Sequence, residues 1–129
     1  MNFASLINPK IGLSLIKNEL EKQVRQRPND LLFFGLTANT FKIDSYDMIY
    51  VADTNSISFD VVANDRKRRF PYLEGEKIAK LLAAGAKEKM PPNSSLDVLI
   101  LKSVNEDKIL AYLYITTLDN EKQLITYDI

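Results

Sequence analysis

Four consecutive cations, Arg66, Lys67, Arg68 and Arg69, stand directly before Phe70 and close to Tyr72. Cations in this density grip phosphate groups, and rings beside them stack on bases, so the run is a candidate anion or nucleic-acid site. Such binding weakens by roughly 0.7–0.9 decades per decade of salt for each phosphate contacted. Asp65 and Glu74 flank the run and partly neutralise it. Its plainer reading is a solvated connection, spanning Asn64 to Tyr72, between a strand and a helix.

Other reactive residue types are scattered. The chain has no histidine, no cysteine and no tryptophan. Ser-His-Asp and Cys-His catalysis are therefore closed to it, as are zinc sites of the Cys/His type. Ser14 and Lys17 match a Ser-x-x-Lys pattern, but neither a Ser-Asp-Asn nor a Lys-Thr-Gly element accompanies them. Asp44, Asp47, Asp53 and Asp60 cluster in the first half without the spacing of a calcium loop. The four glycines stand too far apart to cradle a phosphate. No cofactor and no metal are expected.

Tyrosine is the remaining signal. Tyr112 and Tyr114 share a strand face, and Tyr127 lies in the last apolar segment with Ile125 and Ile129. Tyrosine is enriched where proteins meet, so these five residues form a candidate interface, either for a partner protein or for a homodimer. Seventeen basic and seventeen acidic residues leave the chain with no formal net charge. That balance disfavours tracking of a polyphosphate backbone and favours self-association.

The elements that must carry these residues follow from periodicity. Asn8 and Pro9 open a first helix, in which Leu13, Ile16, Leu20 and Val24 form one apolar stripe. Lys17, Glu21 and Arg25 stand four apart on the opposite face and can pair in solvent. Leu31 to Leu36 is apolar on both faces and reads as a central strand. Tyr46–Ala52 and Ser56–Val61 follow as strands with turns between them. A second helix runs from about Leu73 to Met90, with Ile78, Leu81 and Leu82 on one face and Glu74 and Glu76 in its first turn. Leu96–Lys102, Lys108–Thr117 and Lys122–Ile129 complete the chain as strands joined by short polar loops.

Residues 1–129 thus read as a single α+β domain. Two amphipathic helices pack on a mostly antiparallel sheet, in the order helix, strand meander, helix, strand meander. The opening helix, three strands and helix resemble the order in a double-stranded-RNA-binding domain, and the doubled helix-plus-meander is similar to the order in one domain of DNA sliding clamps. Both resemblances concern element order alone and assign no residue. The apolar runs are too short to span a bilayer, no export signal opens the chain, and the lack of cysteine fits the cytoplasm. The expected function is a non-catalytic binding or assembly module. Nucleic-acid binding through residues 66–69 and an enzyme of carboxylate or Lys/Tyr chemistry are the alternatives.

Overall fold

The computed structural model describes residues 9–71, 76–105 and 108–129. The element order is α1 (Pro9–Arg25), α2 (Pro28–Phe34), β1 (Ser45–Val51), β2 (Ser56–Ala63), β3 (Arg66–Pro71), α3 (Glu76–Ala86), a 3-10 turn (Lys87–Lys89), β4 (Ser95–Asn105), β5 (Lys108–Thr116) and β6 (Lys122–Asp128). The strands form one antiparallel sheet of six, in the spatial order β3-β2-β1-β4-β5-β6. Expectations placed on Asn8, Tyr72, Leu73, Glu74 and the side chain of Ile78 lie outside the described residues.

Leu13, Ile16, Leu20 and Val24 of α1 are all buried, as their spacing requires. They join one apolar cluster with Leu82, Ala83 and Ala86 of α3 and with one face of every strand except β6, whose Ile125 and Tyr127 pack against it half-buried. Leu81 is also only half-buried. One row of this core crosses the whole sheet, as Phe70, Phe59, Met48, Leu101, Ala111 and Tyr127. A second runs through Ile57, Tyr50, Leu99, Leu113 and Ile125.

Three sequence expectations are overturned. Leu31–Leu36 is not a central strand, because Leu31–Phe34 belongs to α2. Pro28 at the first helical position and Asp30 in the first turn start this short helix. Gly35, at φ +69°, ends it in a left-handed cap, with Leu36 N–H on Leu31 O and Gly35 N–H on Leu32 O, both at 3.1 Å. A short apolar run carries no periodicity that separates a buried strand from a buried helix turn, so the caps decide.

The basic run is not a loop. Asn64 and Asp65 both adopt positive φ, at 52° and 60°, which makes a two-residue hairpin turn and folds Arg66–Pro71 back as β3. The second helix is described over Glu76–Ala86, and a 3-10 turn over Lys87–Lys89 takes the place of its last turn.

The polar face assigned to α1 also differs. Glu21 is buried rather than solvent-paired, and its Oε2 accepts the Ile43 N–H at 2.9 Å. Arg25 donates to Phe41 O at 2.9 Å, and the Tyr46 hydroxyl donates to Leu13 O. The first two bonds hold the irregular segment 41–43 against α1, satisfying the Ile43 N–H and the Phe41 carbonyl, while the third ties β1 to the same helix. Glu21→Ala strands a buried donor and is expected to cost about 1–3 kcal/mol in urea unfolding, whereas Glu21→Gln keeps an acceptor and should lose less than half as much.

Candidate functional site

Pleating puts alternate residues on opposite faces of the sheet, so the core rows determine what the other face carries. Three registered rows cross that open face. The first is charged except at Leu110 and runs through Arg69, Asp60, Asp47, Lys102, Leu110 and Asp128. The second is Ser58, Ile49, Ile100, Tyr112 and Thr126, and the third is Ser56, Val51, Val98, Tyr114 and Leu124. Polar groups gather over β2 and β3, and an apolar patch lies over β1, β4, β5 and β6. Tyr114 is 42% exposed and Leu124 51% exposed, while the Ile and Val side chains beside them shield one another to half-burial.

The four cations divide between the two faces. Arg66 and Arg68 point to the helical side, where Arg66 donates to Phe33 O at 2.6 Å. Arg68 stands 3.6 Å from Asp30 and 4.8 Å over the Phe33 ring. Asn64 adds a bond to Phe34 O at 2.8 Å, so the hairpin turn and β3 satisfy the last carbonyls of α2. Lys67 and Arg69 point to the open side and share Asp60, with Arg69 forked across both carboxylate oxygens at 2.7 and 3.1 Å and Lys67 at 3.9 Å. Phe70 is buried in the core, 6.3 Å from the Phe34 ring. The sequence placed these residues together as a site; the fold instead spends them on both faces of one edge strand.

The candidate interface divides as well. Tyr112 and Tyr114 lie on the open face, whereas Ile125 and Tyr127 turn to the helical side and Ile129 is half-buried against the core. Tyr127 borders a cleft of about 300 Å³ between α3 and β6, with Leu82, Ala86 and Leu101 on its walls. Lys89 Nζ sits 5.7 Å from the Tyr127 ring centre, and burial raises the tyrosine hydroxyl above its ordinary pKa. Sequence reasoning missed Ile49, Val51, Val98 and Ile100, which look like core residues in a linear pattern and are assigned to the open face only by strand register.

Electrostatics on the open face favour fixed ion pairs. The Arg69 guanidinium, by its hydrogen bonds, holds the Asp60 carboxyl below the ordinary carboxylate range, against an opposing push from burial. Burial raises Asp47, and Lys102, 3.9 Å away, offsets part of that shift. Among the described residues no group of three or more acidic, histidine or cysteine side chains could hold a metal ion, and no helix is long and apolar enough to cross a membrane. Comparison with protein-family models, with curated proteins and with solved structures yields no match.

Because folding lowers the Asp60 pKa, the ion pair adds stability above the ordinary carboxylate pKa of about 3.9, and that stability disappears as pH falls through the lower folded value. Asp60→Asn should therefore be less stable than the parent at pH 7, by roughly 0.5–1 kcal/mol, as expected for a partly exposed pair. The gap should narrow in unfolding curves taken progressively below about pH 4.

Proposed function

We propose that this chain is a non-catalytic protein-binding or assembly module that works through the open face of its sheet. In this reading the amphipathic helices α1 and α3 form the scaffold layer packed on the opposite face, in the order helix, meander, helix, meander. The observation that carries the proposal is the apolar patch of Ile49, Val51, Val98, Ile100, Leu110, Tyr112, Tyr114 and Leu124, which no described element covers. An antiparallel sheet with one wet face ordinarily alternates apolar-in with polar-out. Here the wet side carries Ile49 and Val51 of β1, Val98 and Ile100 of β4, Leu110, Tyr112 and Tyr114 of β5 and Leu124 of β6, and contiguous patches of this kind mark interaction sites.

The patch fits a protein surface of aliphatic and aromatic groups. Its charged margin is made of pairs, Asp60 with Arg69 and Lys67, and Asp47 with Lys102. A polyanion would have to displace those carboxylates, so the nucleic-acid alternative is disfavoured. A sequence without cysteine suits the cytoplasm.

The test uses Nile red, a neutral dye that brightens on apolar surfaces. The parent chain should raise its fluorescence, and Tyr114→Lys/Leu124→Lys should abolish most of the gain. Substitutions at such exposed positions should change stability by no more than about 0.5 kcal/mol. The parent should also fail to retard single- or double-stranded DNA or RNA in low salt. Dye binding that survives the double substitution would contradict the proposal, and tight low-salt retardation would favour the nucleic-acid alternative.

A further inference from the structure

The two margins of the sheet are built differently. At one, β3 carries Arg66, Lys67, Arg68 and Arg69 and ends in Pro71, the charges and proline that keep an edge from pairing with another chain. At the other, β6 reads Lys-Gln-Leu-Ile-Thr-Tyr-Asp, with charge only at its ends and an unbroken register to β5. Its central residues, Leu124 to Tyr127, carry none of these guards.

Hydrogen-bond parity identifies which β6 groups face outward. Ile129 N–H donates to Ile109 O and Thr117 N–H donates to Glu121 O, each at 2.9 Å. Bonded pairs alternate in an antiparallel ladder, so Gln123, Ile125 and Tyr127 bond to β5. The N–H and C=O groups of Lys122, Leu124, Thr126 and Asp128 point away from the sheet, and no described strand takes them. Lys122 and Asp128 lie symmetrically about Ile125. Asp128 has no ion pair among the described residues, and Lys122, three-quarters exposed, donates to Thr116 Oγ1 at 2.7 Å and stands 3.6 Å from Asp97, surface contacts that it can exchange for the second copy's Asp128.

We propose that β6 docks the β6 of a second copy of this chain, antiparallel about a twofold axis through Ile125, with Lys122 of each copy opposite Asp128 of the other. This deepens the protein-binding reading above and rests on it, naming the partner and its register. In that register Leu124 faces Thr126 of the second copy, and all four outward residues form bonded pairs, exchanging both N–H···O bonds in each. Opposite charges meet at both ends, so the arrangement is self-complementary, as a twofold interface must be. The two sheets merge into one, and their apolar patches become continuous across the join.

Sedimentation of the whole chain at micromolar concentrations tests this. The parent should sediment as a dimer. Thr126→Pro should sediment as a monomer that keeps the parent's circular-dichroism spectrum, because the N–H it removes makes no bond within one chain, and its melting temperature should not rise with protein concentration as the parent dimer's does. Lys122→Glu and Asp128→Lys should each weaken dimerisation about tenfold, and the double reversal should recover it, since each copy then presents the opposite pair. These charge variants also keep the test decisive should the proline variant fail to fold. A monomeric parent, a dimer that survives Thr126→Pro in folded form, or a double reversal that fails to recover would overturn the proposal. A dimer abolished by Tyr114→Lys yet kept by Thr126→Pro would overturn it in favour of face-to-face association, leaving the protein-binding reading intact. A parent chain that fails to brighten the dye, or dye binding that survives Tyr114→Lys/Leu124→Lys, in contrast strikes that reading directly.

Discussion

Burial of one face of the sheet is the constraint on which the rest of the molecule depends. Phe59, Met48, Leu101 and Ala111 stand in one registered row, all nearly inaccessible, beneath a helical layer that contributes Ile16, Leu20, Val24 and Leu82. At roughly 25 cal/mol per Å² of apolar surface, this layer is the main source of folding free energy. Once it is set, strand period fixes the opposite face. Ile49, Val51, Val98 and Ile100 must then face outward, whatever their hydrophobicity.

Polar groups are used where regular pairing stops. Glu21 and Arg25 receive the backbone of residues 41–43, while Asn64 and Arg66 take the last carbonyls of α2. Asp30 and Asp60 lie on opposite sides of β3 and each holds at least one of its cations. The basic strand therefore closes one margin of the sheet and braces α2, leaving the margin at β6 as the contrast. That asymmetry, together with the apolar patch next to β6, links the fold to the binding reading.

Much of this was legible in the sequence. The buried stripe of α1, the strands β1, β2, β4, β5 and β6, and the shared face of Tyr112 and Tyr114 follow from local spacing. What was hidden depended on partners far along the chain. Leu31–Leu36 looked like a strand because a short apolar run has no period, although Pro28 and Gly35 carried the helix signal. Arg66–Arg69 looked like a loop because both of its faces are charged. The clue was the Asn64–Asp65 pair, a turn that tolerates positive φ. Glu21 seemed a solvent residue because the backbone donor it meets lies twenty-two positions away. The open-face patch needed strand register, which spacing within one segment cannot supply.

The central claim is that the sheet buries one face and presents the other as apolar surface. Methyl resonances measured with a soluble paramagnetic probe test it directly. The methyls of Ile49, Val51, Val98, Ile100, Leu110 and Leu124 should relax strongly, while those of Ile16, Leu20, Leu99, Leu101 and Leu113 stay protected. Equal protection of both sets would mean that the open face is covered, and would contradict the account.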